Sequence, residues 1–174
     1  NKISGDGVIR VAGEVSVKSS DISDYHGEWD VLGKLKTVDG SFTTSSQWGT
    51  GNVNIEPQGS VVVTNNSNGS LFVFDNTLSG SGTLLVNFSG SENGTDLYTP
   101  TFKIQQGTTS EFTGMVELAG EKNKKVVYIL DSDELSTSGI RVSDNSVLSV
   151  GRDDSSKETF TLGKLDIAGG ELNI

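Results

Sequence analysis

The chain has 174 residues, with 23 acidic against 13 basic side chains, a net charge of −10 and a pI near 4.4. A surface this acidic repels nucleic-acid phosphates and anionic lipid, which argues against both as partners. Cysteine is absent, so a disulfide scaffold and a thiolate-ligated metal are excluded, and no apolar run approaches the roughly 18 residues of a membrane helix.

One unit recurs along the chain: a Gly or small polar residue, then apolar and polar residues in alternation. It begins with Gly7-Val8-Ile9-Arg10-Val11 and Glu14-Val15-Ser16-Val17. It returns in Gly51-Asn52-Val53-Asn54-Ile55, Gly59-Ser60-Val61-Val62-Val63 and Gly69-Ser70-Leu71-Phe72-Val73-Phe74. Gly82-Thr83-Leu84-Leu85-Val86 and Gly114-Met115-Val116-Glu117-Leu118 follow. The last stretch contributes Gly139-Ile140-Arg141-Val142, Ser146-Val147-Leu148-Ser149-Val150, Gly163-Lys164-Leu165-Asp166-Ile167 and Gly170-Glu171-Leu172-Asn173-Ile174.

A period of two is the mark of a half-buried strand, and the Gly before it permits the tight turn that starts it. No segment carries apolar residues at helical spacing. The best helical candidate, Lys122 to Leu135, is dominated by Val126-Val127-Tyr128-Ile129-Leu130, whose β-branched and aromatic residues favour strand. The chain is therefore expected to be all-β. Only a few junctions carry hairpin-type pairs (Asp39-Gly40, Asn68-Gly69, Asn93-Gly94), so a coil that keeps turning one way fits better than stacked hairpins.

The expected architecture is a right-handed parallel β-helix with three short strands per rung. Repeats on the order of 20–25 residues give roughly seven or eight rungs. Such a rod has one narrow apolar core, which reconciles a stable fold with only 33% hydrophobic residues. The alternating positions Val53, Ile55, Leu84, Val86, Val116, Leu118, Leu148, Val150, Leu165 and Ile167 are expected to fill that core. Residues 87–100 lack alternation and are rich in Gly, Ser and Asn, so an insertion on the rod is expected there. Asn87, Asn93, Asp96 and Tyr98 are its candidate interaction residues. The chain opens on Asn1 and closes on an alternating Leu172-Asn173-Ile174, so residues 1–174 are expected to be one segment of a longer β-helix.

Few residues carry chemistry. His26 is the single histidine, and it stands in a loop-like stretch without a nucleophile elbow, so a catalytic triad is not expected. Asp131, Asp133 and Glu134 form one acidic cluster and Asp153 with Asp154 another, about one rung apart. Both read as solvated turns. Whether Asp131, Asp133, Asp153 and Asp154 share a calcium ion is left open by the sequence. Asn65, Asn68, Asn87 and Asn93 begin Asn-x-Ser/Thr triplets, which chance supplies in so polar a chain. Lys122, Lys124 and Lys125 read as a basic turn. No catalytic residue, cofactor or metal is expected.

Four segments resemble the passenger domains of bacterial autotransporters, of the AIDA-type and pertactin-like kind. Tyr25-His26-Gly27-Glu28-Trp29-Asp30-Val31 resembles their Y-x-G-x-W-x-V entry, and Trp48 to Ile55 resembles the segment that follows it. Leu78-Ser79-Gly80-Ser81-Gly82-Thr83-Leu84-Leu85-Val86 is similar to L-x-G-x-G-T-L-x-V, and Glu111-Phe112-Thr113-Gly114-Met115-Val116-Glu117-Leu118 to x-F-T-G-x-V-x-L. The resemblance covers residues 25–118. It implies export through the periplasm and outer membrane to the bacterial cell surface, with membrane attachment only through a C-terminal β-barrel that this chain lacks. It also implies a non-catalytic role in adhesion, autoaggregation or biofilm formation, the partners being further copies on neighbouring cells or host surface molecules. A carbohydrate-active β-helix enzyme and a purely structural stalk are the alternatives. Residue by residue, the motifs read as structural: Gly80 and Gly82 for tight bends, Trp29 and Phe112 as core fillers.

Overall fold

In the run Glu28-Trp29-Asp30-Val31, Trp29 and Val31 are fully buried while Glu28 and Asp30 are half-exposed. This inside-outside alternation repeats from strand to strand and organises the whole molecule. The structure, a computed structural model, describes residues 2–37, 48–65, 71–88, 101–104, 111–120, 126–130, 138–150 and 163–173.

The first coil runs through β1 (Ser4–Gly5), β2 (Val8–Val11) and β3 (Glu14–Val17) into a single helical turn, α1 (Ser19–Ile22). The second comprises β4 (Asp24–Tyr25), β5 (Glu28–Val31) and β6 (Lys34–Thr37). The third is β7 (Val53–Ile55), β8 (Ser60–Asn65) and β9 (Leu71–Phe74), and the fourth β10 (Leu78–Gly80), β11 (Thr83–Phe88) and β12 (Thr101–Ile104). The fifth is β13 (Glu111–Phe112), β14 (Met115–Gly120) and β15 (Val126–Leu130). The sixth holds β16 (Gly139–Ser143) and β17 (Ser146–Val150), the seventh β18 (Lys164–Ala168) and β19 (Glu171–Asn173).

Each strand pairs with its counterpart one coil away, and every pairing between these strands is parallel. The protein is thus an all-β parallel solenoid, as its alternation predicts. Its first face is the sheet β2-β5-β7-β10-β13, its second β3-β6-β8-β11-β14-β16-β18, and its third β9-β12-β15-β17-β19. β1 and β4 form a small extra sheet ahead of the first face. All three faces are present together in the third, fourth and fifth coils; among the described residues the other coils carry strands on fewer of them.

The core is a set of stacked columns. Along the second face the residues in register are Val15, Leu35, Val61, Leu84, Val116, Ile140 and Leu165. Members from Leu35 to Ile140 are at most 1% exposed, whereas Val15 is 36% and Leu165 39% exposed. Ile167, in register with the buried Val142, is 43% exposed. Leu165 and Ile167 therefore correct the expected core. Both point inward by pattern, but among the described strands β18 pairs only with β16. The expected core residues Val53, Ile55, Leu84, Val86, Val116, Leu118 and Leu148 are buried. The side chain of Val150 lies outside the described set.

The bend between the first and second faces is built from glycine. The residue just before each second-face strand is Gly13, Gly33, Gly59, Gly82, Gly114, Ser138 and Gly163 in successive coils. A Cβ on Gly33, Gly59, Gly82 or Gly114 would fall 2.0–2.3 Å from a carbonyl oxygen of the coil beneath. Removing the side chain lets each coil close onto the last, with hydrogen bonds such as Lys34 N to Gly13 O at 2.8 Å and Gly139 N to Gly114 O at 3.0 Å.

Several polar groups inside the rod serve the backbone. Asn76, 3% exposed, donates to the carbonyls of Gly49 and Gly51, both at 2.9 Å. The Trp29 indole donates to the Trp48 carbonyl at 2.7 Å. Ser146 donates within a fork formed by the Leu118 and Ser143 carbonyls. Each contact gives a backbone carbonyl in the interior a side-chain donor.

Candidate functional site

The outward positions of the first face form a continuous polar column, and this is the most developed polar constellation among the described residues. Period-two alternation puts Arg10, Asp30, Asn54, Ser79 and Glu111 on the solvent side of β2, β5, β7, β10 and β13. The register aligns them one above another. Parallel strands set adjacent members about 4.8 Å apart.

Four of its five members, from Arg10 to Ser79, are linked side chain to side chain. Arg10 Nε lies 3.6 Å from Asp30 Oδ2. Asp30 Oδ1 accepts from Asn54 Nδ2 at 3.2 Å, and the same amide donates to Glu56 Oε1 at 3.1 Å. The Ser79 hydroxyl donates to Asn54 Oδ1 at 3.2 Å and accepts from Asn52 Nδ2 at 3.2 Å. Donors and acceptors alternate along this chain, so each bond orients the next. The side chains are ordered before any partner arrives, which lowers the entropic cost of making contacts. Charge is polarised: a cation stands at the first coil and an acid, Glu111, at the fifth.

Among the described residues the second face presents separate contacts, two ion pairs and one hydroxyl–carboxylate bond. Lys36 meets Glu14 at 2.5 Å, Arg141 meets Asp166 at 2.9 Å, and Ser143 donates to Glu117 at 2.7 Å. The hydrogen bond from Lys36, reinforced by the charges of Lys36 and Lys34, holds the Glu14 carboxyl below its usual range. Between these pairs the outward positions are the apolar Val62 and Leu85.

Of the four interaction residues expected from sequence, Asn87 is a strand residue. It sits on β11 in register with Thr64 and Ala119, so the strand extends through Phe88 and the non-strand stretch expected from residue 87 begins no earlier than residue 89. Asn93, Asp96 and Tyr98 lie outside the described residues, as do Asp131, Asp133, Asp153 and Asp154. His26 is exposed, and its Nδ1 lies 2.7 Å from Thr50 Oγ1 in the next coil. The polar column was not among the expected sites. Its signal was present as the polar letter inside Ile-Arg-Val, Trp-Asp-Val, Val-Asn-Ile and Leu-Ser-Gly, but only alignment of the coils makes those letters neighbours.

Comparison of the chain with protein-family models, with curated proteins and with solved structures finds no match in any of the three.

Proposed function

We propose that this chain is a surface adhesion and self-association module of the autotransporter-passenger type, displayed outside the bacterial cell and acting without catalytic turnover. Two lines support the reading: the resemblance of residues 25–118 to such passengers, and the polar column of the first face. The column carries the argument. Arg10, Asp30, Asn54, Ser79 and Glu111 form a regular, pre-ordered strip whose order is self-complementary. When a second copy lies antiparallel on the strip, Arg10 faces Glu111, Asp30 faces Ser79, and Asn54 faces its own equivalent. A parallel arrangement sets like charges against each other, so complementarity selects the antiparallel one. Single contacts of this kind are weak, and adhesion comes from many rods engaging together.

Bead aggregation with the displayed chain tests this. Arg10→Glu beads and Glu111→Arg beads should each aggregate much less than wild type when alone. Mixed together they should aggregate again, because both contacts become complementary between unlike copies. Wild-type aggregation by both single variants, or no aggregation by the parent chain, counts against self-association through this face. Cleavage of a polyuronate by the purified chain counts against the non-catalytic part.

A further inference from the structure

One coil breaks the glycine rule at the bend between the first and second faces, and the surface is hollowed at that place. Ser138 occupies the corner position that is glycine in every other coil from Gly13 to Gly163. A cleft of about 390 Å³ opens beside it. Its walls come from four consecutive coils: Ser81 and Thr113 on the first-face side, Met115 and Lys164 on the second-face side, with Ser138 at the corner between them. Gly114, Gly139 and Gly163 contribute no side chains, which is why the hollow exists.

Three features of this cleft ask for a ligand. Ser138 is only 1% exposed and its buried hydroxyl has no hydrogen-bond partner, an unpaired group that would be satisfied by turning toward the cleft and meeting a ligand oxygen. Ser81 and Thr113 follow the paired Gly80 and Phe112 in adjacent coils, so their backbones stand about 4.8 Å apart along the rod. Thr113 donates only a long bond, 3.4 Å, to the Gly80 carbonyl and keeps its lone pairs. Lys164 is exposed and makes no ion pair among the described residues, whereas the acids of the adjoining face are occupied: Asp166 by Arg141 at 2.9 Å and Glu117 by Ser143 at 2.7 Å. The Lys164 ammonium, the hydroxyls of Ser81 and Thr113 and the thioether of Met115 make a mixed polar and apolar lining on the scale of one sugar ring.

We propose that this cleft binds a small hydroxylated carboxylate, of the kind found as the acidic sugar of a glycan. Lys164 meets the carboxylate. Ser81 and Thr113 exchange hydrogen bonds with ring hydroxyls, Met115 lies against the apolar ring face, and Ser138 supplies the corner hydroxyl. The site is separate from the polar column, so the two proposals stand or fall independently.

Amide chemical shifts of the chain, titrated with glucuronate and with N-acetylneuraminate, test it. Glucose serves as the uncharged sugar and acetate as the carboxylate without hydroxyls. Saturable shifts are expected at Thr113, Gly114, Gly139 and Lys164 with at least one acid. Affinity should be on the order of millimolar, and both controls at least ~10-fold weaker. Lys164→Gln should weaken the acid about tenfold or more, the loss of one charge-assisted contact. Ser138→Gly restores the corner residue of the other coils, so the variant should fold normally and bind several-fold more weakly. The proposal is overturned if neither acid saturates, if acetate or glucose binds as tightly, or if affinity is unchanged in either variant.

Discussion

The amide of Phe88, on β11, donates to the hydroxyl of Tyr128, on β15, at 3.1 Å across the interior of the rod. The same hydroxyl lies 3.0 Å from the Val86 carbonyl and 2.5 Å from that of Ala119, and the two rings pack with centroids 5.5 Å apart. One phenol thus ties the second face to the third in two adjacent coils. Tyr128→Phe keeps the ring and removes the oxygen. It should cost about 1–3 kcal/mol, because buried backbone groups lose a partner. Urea denaturation of the variant measures the loss, and an unchanged midpoint would show that these bonds contribute nothing net.

Leu84 and Leu165 occupy the same inward column, but Leu84 is fully buried and Leu165 is 39% exposed. Leu84→Ala should cost about 2–5 kcal/mol and leave a cavity that the rigid coils cannot close. Leu165→Ala should cost less than half as much, since water already reaches the side chain. Equal losses in the two variants would mean that position in the column, rather than burial, sets the energy.

Gly51 lies against Gly27 of the preceding coil so closely that a Cβ would sit 1.8 Å from the Gly27 carbonyl oxygen. The obstructing atom is backbone and belongs to a paired coil, so it cannot simply turn aside. Gly51→Ala should destabilise the fold by at least about 1–3 kcal/mol through overpacking. Gly13→Ala, where the added carbon meets nothing within 4 Å, is the matched control and should be nearly silent in the same thermal melt.

Tyr25 is 2% exposed, with its hydroxyl 2.7 Å from the carbonyls of Gly7 and Glu28. Burial pushes its pKa above the ordinary value of 10.0, and the nearby Glu28 charge adds to the effect. The folded state therefore holds the phenolic proton more tightly than the unfolded chain does. The stability this contributes is complete below pH 10 and is lost as pH rises through the folded pKa. Alkaline titration followed at the phenolate absorbance should show a late-ionising component that is reduced in Tyr25→Phe. The variant should also flatten the alkaline loss of stability.

The strands were legible because their signal is local. Val53-Asn54-Ile55 and Thr83-Leu84-Leu85-Val86 declare an inward and an outward set within a few residues, and the glycine ahead of each marks the bend. The polar column was not legible, because nothing within Ile9-Arg10-Val11 indicates that Arg10 belongs beside Asp30. Asn87 was misread for a related reason. It follows the clear alternation of β11 and precedes a Gly- and Ser-rich stretch, and only its pairing with Thr64 and Ala119 holds it in the sheet.

What the sequence determined by itself was the side of each strand that faces the core, the sharp glycine corners, and hence a coil and not a set of hairpins. A two-residue period and a missing Cβ act through neighbouring atoms and need no knowledge of distant ones. What only the tertiary structure decided was which residues stack. Successive members of the column from Val15 to Leu165 are separated by 20, 26, 23, 32, 24 and 25 residues. With coils of unequal length, the lateral neighbours of a side chain are set by hydrogen-bond register across the sheet. A one-residue slip would turn every inward side chain to water, so the buried columns hold the register in place. The Arg10 to Glu111 strip and the Ser138 cleft exist only because the coils are aligned in that register.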